Sequence, residues 1–161
     1  MNSGQDKKPV LANPRVKNVE MWALVADSGS YRYEVPALKL DIIRGNVIEF
    51  IEFVNLTPHD IVIQTKTGET LTVPKSGVVA RIDVTEKVED VIGGAIPIVK
   101  QETGSLDPEP LAVEGRYYLV SSIVKSHVYR SDFLAPNTSH SELGAIRNEK
   151  GHIVAVKSLI S

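Results

Sequence analysis

Apolar residues come in short bursts along this chain, with turn residues between them. Residues 19–26, VEMWALVA, make the first burst, and DSGS follows as a turn. YRYEVPALKL alternates poorly and carries Pro36, which has no N–H to give to a central ladder, so it reads as an edge strand. VIEFIEFV, residues 47–54, follows a capping-box pattern in Asn46 and Glu49. Its remaining Val, Ile and Phe favour a strand, and that is the reading taken. DIVIQT, KTGE and TLTV then form a hairpin with Gly68 in the turn. Residues 74–77 are a further turn ahead of the strand VVARIDV.

Residues 86–95 read as a loop or short helical turn ending in Gly93-Gly94, AIPIVK as a short strand, and ETGSLDPEP as a loop. RYYLV, residues 116–120, is a buried strand. Val120, Ile123, Val124 and Val128 fall near helical spacing, which predicts one helix over 121–131. Residues 135–144 read as a polar loop, and AIRNEKGHIVAVKSLI as a closing hairpin that turns at Glu149-Lys150-Gly151. Six or more short strands and one short helix predict a mainly β fold (β-rich α+β), a small barrel or sandwich. Residues 1–18, polar and aperiodic, are expected to be a mobile tail. Residues 19–46 read as an N-terminal extension, an added strand or dimerisation element, and 47–161 as a single β-rich domain.

Composition narrows the classes. A chain of 161 residues suits one domain with a real core, and 42% hydrophobic with 24% charged residues is a globular mix. The formal charge of −2 supplies no overall field to recruit nucleic acid. The absence of cysteine excludes disulfides, thiolate nucleophiles and zinc–thiolate sites. The first residues lack a secretory apolar core, and no apolar run approaches a membrane span, so a soluble cytoplasmic protein without a membrane partner is the expectation.

Polar residues gather in four places. The first is Asn55, Thr57, Pro58, His59 and Asp60, between two apolar runs. There His59 is a candidate base or anion donor that Asp60 could orient, and the same residues also suit a turn that satisfies its own backbone. The second is Lys75-Ser76-Gly77 with Arg81, where exposed N–H groups and a guanidinium suit an anion but also describe a surface turn. The third is Ser121-Ser122 at a strand-to-helix change, an anion site or a helix cap, followed by Arg130 and Asp132, which could pair with each other at little gain if exposed. The fourth is Arg147 and Asn148, just before a hairpin tip. The four histidines show no HxH or HExxH spacing and no GxSxG elbow exists, so no metal, cofactor or catalytic constellation is expected.

FVNLTPHDIVI, VPKSGVVAR, YYLVSSIVKSHV, RSDFLAPN and AIRNEKGHIVAVKSL are together similar to an uncharacterised family of small phage and bacterial proteins. The resemblance spans about residues 47–160. Such proteins open on an NLTPH-type segment, pass through a PSGxxAR-type turn and end on an RNExGxI hairpin. The resemblance implies a shared fold and shared polar positions more than an activity. Lys75 departs from the pattern, and residues 1–46 have no counterpart in it. They are either an added element or the product of a start placed too early, with a natural start near Val47.

The leading functional expectation is a binding protein for an anionic, nucleotide-like small molecule, cytoplasmic in the host if phage-encoded. Analogy with phage proteins that sequester nucleotide immune signals suggests an anti-defence role, and homo-oligomerisation would be natural because small binding proteins often build pockets between subunits. Its expected ligand-binding residues are Asn55, Thr57, His59, Ser76, Arg81, Ser121, Ser122, Arg130, Arg147 and Asn148. The alternatives are a phosphoester or nucleotide hydrolase or lyase using His59, and a virion or other structural protein without a ligand. Convergence of Asn55, His59, Arg81 and Arg147 on one concavity would favour binding or catalysis. Scatter would favour the structural reading.

Overall fold

A computed structural model describes residues 22–28 and 31–161. The expected tail at 1–18 lies outside the described residues, as do the start of the first apolar burst and residues 29 and 30 of its turn. Among the described residues the fold is mainly β with one short helix, and one sheet curls into a half-barrel. Strands β1 (Trp22–Ser28) and β2 (Tyr31–Pro36) pair antiparallel as a sheet of their own. Strand β3 (Leu38–Arg44) turns through Gly45, at φ 59°, into β4 (Val47–Asn55). Strands β5 (Ile61–Gln64) and β6 (Thr70–Val73) form the expected hairpin, with Gly68 at φ 88°.

Next come two long strands, β7 (Arg81–Ile92) and β8 (Ile96–Asp107), and then β9 (Arg116–Leu119) and helix α1 (Ser122–His127). Strands β10 (Phe133–Pro136), β11 (Ala145–Arg147), β12 (Ile153–Val156) and β13 (Leu159–Ile160) complete the chain.

The main sheet runs β13-β10-β9-β4-β3, and a second runs β11-β12-β5-β6. In the first, β4, β9 and β10 are parallel neighbours, with antiparallel β3 and β13 at the edges. Successive side chains of a strand point to opposite faces, and here both faces are covered. Val54, Tyr118 and Phe133 pack on one side with Leu56, Val120 and Val124. Leu119, Leu38 and Leu40 pack on the other against Ile61, Leu71, Val73 and Val156 of the second sheet, with Phe53 and Leu134 beside them. Continuous apolar runs such as YYLV are thus strands buried on both faces. Residue 46, taken as the end of the extension, lies in the β3–β4 turn, and β3 contributes Leu38 and Leu40 to the core.

Three expectations need correction. The helix over 121–131 is six residues long, Ser122–His127, and the chain is extended again at Val128. Val120, Val124 and Val128 do reach the core, but Val120 does so from the end of a strand, and Ile123 is exposed. Their spacing therefore imitates a longer helix. Residues 86–92 are strand, not loop, because the β-branched Val88, Val91 and Ile92 outweigh the acids between them. Residues 102–107 are likewise strand, ended by Pro108.

Tyr118 is fully buried at the centre of the main sheet. Its hydroxyl donates to the Leu111 carbonyl at 2.5 Å and accepts from Arg116 Nη1 at 3.1 Å. Burial pushes its pKa above the ordinary phenol value, against the opposing pull of Arg116 and Arg130. The native state therefore keeps this proton after the unfolded chain has lost it. That contribution is intact below the unfolded pKa of about 10 and is lost as pH rises through the folded value. Tyr118→Phe should remove this alkaline component, so the gap in melting temperature between parent and variant should narrow above about pH 10. Melting curves that stay parallel across that range would refute the assignment.

Candidate functional site

The segment between β4 and β5 is built around Asn55, which is fully buried. Its Nδ2 donates to the carbonyls of His59 at 2.7 Å and Val73 at 3.0 Å. Its Oδ1 accepts from the Thr57 N–H at 2.9 Å and the Thr57 hydroxyl at 2.6 Å. Both donors and both lone pairs of the amide are used. Asp60 extends the clamp, since its Oδ1 accepts from the Lys75 N–H at 2.8 Å. The Asn55 carbonyl accepts from the Ser76 N–H at 3.2 Å, and the Leu56 N–H donates to the Leu119 carbonyl at 2.8 Å. The polar knot in the sequence is therefore largely self-satisfied, and it fixes the His59 backbone on the rim of a cleft.

That cleft has a volume of about 390 Å³. Its floor is apolar, from Ile61 and Val62 of β5 and Ile153, Val154, Ala155 and Val156 of β12. Parallel pairing of β12 with β5 at Val156 and Ile63 brings these two segments side by side. The polar rim is Thr57, His59, Asp60, Ser121, Ser122 and Thr138. Ser121 caps α1, its hydroxyl accepting from the Val124 N–H at 3.3 Å. Ser122 is exposed at the rim. The lining contains neither Lys nor Arg.

The expected site residues divide accordingly. Thr57, His59, Ser121 and Ser122 line one cleft. Asn55 lies behind it as the clamp. The Ser76 hydroxyl is engaged locally with the Val78 N–H and carbonyl. Arg81 borders a different depression with Asp83 and Asp107. Arg130 forks onto Asp132 at 2.6 and 2.9 Å, donates to the Pro110 carbonyl at 2.7 Å and lies 4.5 Å over the Phe133 ring. Hydrogen bonding to Asp132 raises its pKa above the ordinary guanidinium value.

Arg147 braces the closing hairpin, donating to the Gly151 carbonyl at 3.0 Å and the Thr138 carbonyl at 3.3 Å. Asn148 orders the hairpin tip by accepting from the N–H groups of Lys150 and His152, each at 3.0 Å. Of the four residues posed as the geometric test, only His59 faces the cleft, so they do not converge, and by that criterion the structural reading gains.

Sequence reasoning missed the β12 floor and Thr138. Ile153 and Val154 look like ordinary hairpin residues, and only the β12–β5 pairing reveals them as a floor. Thr138 sits in a segment read as a polar loop, and its neighbour Asn137 ties that loop down, with Nδ2 donating to the Ser158 hydroxyl at 3.0 Å. No family model, curated protein or solved structure matches the chain. Among the described residues no helix is long and apolar enough to cross a membrane.

Proposed function

We propose that the protein binds a small molecule in this cleft, one with an apolar body and a hydrogen-bonding edge. The observation that carries the proposal is the joining of an apolar two-strand floor to a rim of three hydroxyl-bearing segments and His59. Binding sites have this composition, with a mostly apolar lining and a few placed polar groups. The rim is rich in acceptors and includes the Asp60 carboxylate, so a neutral or donor-bearing ligand suits it better than a free phosphate. The arginines expected to hold an anion are occupied or elsewhere. A nucleotide-like ligand fits this reading through its heteroaromatic ring rather than through its charge.

Hydrolysis has less support. Asp60, the residue expected to orient His59, makes no hydrogen bond to its ring among the described residues and instead accepts from the Lys75 N–H through Oδ1. A base without an orienting partner is weak warrant for catalysis.

Ligand-observed NMR with neutral heteroaromatic fragments and their phosphorylated counterparts tests the reading. Ile153→Asp, which places a charge on the exposed part of the floor, should weaken capture by about tenfold or more. Arg81→Ala should leave it unchanged. Selective capture of phosphorylated compounds that is lost in Arg81→Ala would overturn the proposal. So would turnover that disappears in His59→Ala.

A further inference from the structure

Strands β7 and β8 form a ribbon of two twelve-residue strands, a sheet with no third strand among the described residues. At about 3.4 Å per residue it is about 40 Å long. Only its base joins the core, where Ile82 and Leu106 pack against the buried cluster. Beyond that base every residue of both strands is exposed. A lone two-stranded ribbon is marginally stable in water, so an arm of this length calls for a partner surface.

The register shows which face that surface would meet. Directly paired residues share a face, and the bulge between Val88 and Asp90 carries the pattern forward. One face holds Val84 with Thr103, Glu86 with Gln101, Val88 with Val99, and Val91 with Pro97. The opposite face holds Lys87 with Lys100, Thr85 with Glu102, and Asp90 with Ile98, with Ile92 and Ile96 at its tip. Charge is therefore divided by face. The second face has two cations and two carboxylates along its length, which is a solvated surface. Among its directly paired residues the first has one charge, Glu86, which accepts from Gln101 Nε2 at 3.2 Å, while Glu89 is the unpaired bulge residue beside Val88. Val88, at the middle of this face, is 57% exposed.

We infer that the valine face of this arm is a dimerisation surface that packs on the same face of a second copy. A two-fold axis near the Val88–Val99 pair lays the stripe on itself, as an isologous contact requires. The two ribbons then form a two-layer sandwich with the mixed-charge faces outward. The like charges do not oppose this arrangement. The two Glu86 carboxylates lie about 14 Å apart along the ribbons, and each keeps the Gln101 amide of its own ribbon as a donor. Beyond the base each face offers a footprint of about 300 Å², so the pair covers about 600 Å². That is below the size of a permanent interface and suits a reversible dimer. The inference does not rest on the cleft.

Sedimentation velocity across a concentration series tests it. The parent should move from mostly monomer near about 1 µM to mostly dimer near about 100 µM. Val88→Asp should raise the dissociation constant at least tenfold, with an unchanged melting temperature showing that the body is intact. Lys87→Asp, on the opposite face, should dimerise like the parent. Because the chain has no cysteine, Val88→Cys supplies a single thiol. Oxidation should link it into a covalent dimer, and the same treatment of Lys87→Cys should not. A parent that stays monomeric throughout the series would overturn the inference. So would a dimer equally tolerant of Val88→Asp and Lys87→Asp, which would place the contact elsewhere.

Discussion

Asn55→Ala should cost the protein about 2–4 kcal/mol of stability, read as a lower urea midpoint at an unchanged slope. The size follows from what the truncation leaves behind. The Val73 carbonyl loses its Asn55 donor and the Thr57 N–H its acceptor, around a residue with no solvent exposure, while the Thr57 hydroxyl and the His59 carbonyl keep only each other at 3.1 Å. Buried groups left unpaired cost more than the net gain of the bonds that were made. Asn55→Asp sharpens the test. It keeps an acceptor for Thr57 but turns a second oxygen toward two carbonyl oxygens, so the native state favours its protonated form. A carboxyl whose folded pKa is raised adds stability that is present below the unfolded value of about 4 and lost as pH rises through the folded value. Asn55→Asp should therefore lie closest to the parent in acid and fall further behind toward neutral pH. A gap independent of pH, or a loss below about 0.5 kcal/mol for Asn55→Ala, would mean that the clamp does not hold the loop.

Asn55 also shows how far the sequence could be read. A polar knot between two apolar strands has to be solvated, self-satisfied or functional, and the structure divides the knot between these outcomes. Asn55 and Thr57 satisfy each other, while His59 reaches the rim of the cleft. The sequence marked the knot but could not divide it, because the division depends on Val73 and Lys75, which only sheet pairing brings near. The arginines failed to converge for a related reason. A one-residue change of register sends a strand side chain to the opposite face, so the direction of Arg81 is not encoded locally.

Strand content was readable wherever burial enforces a pattern, as in β4, β9 and the β5–β6 hairpin. It was only partly readable in the distal arm, where no core selects a face: VVARIDV and AIPIVK were read as strands, but residues 86–92 and 102–107 were not. There Glu86, Glu89 and Asp90 looked like a loop, and the valines between them looked incidental. The arm becomes intelligible only when cross-strand pairs sort its residues by face.

Arg130→Met should be the second large loss, about 2–4 kcal/mol, with ligand capture in the cleft unaffected. The side chain is about four-fifths buried, and its guanidinium makes a two-pronged bond to Asp132, a bond to the Pro110 carbonyl and a stacking contact with Phe133. Met preserves much of the apolar stem, so the loss isolates the charge and its fork. What remains is a partly buried carboxylate without its partner, beside a backbone that the Tyr118 N–H holds through the Asp132 carbonyl at 2.8 Å. Breaking one side of a buried pair is therefore costlier than removing both. Arg130→Met combined with Asp132→Leu should recover part of the loss, and a double-mutant cycle in urea measures the coupling. Arg130→Lys keeps the charge but cannot fork, so it should fall between parent and Met. A single loss below about 0.5 kcal/mol, together with weakened ligand capture, would make the pair with Asp132 energetically idle and return Arg130 to the ligand-binding residues expected from the sequence.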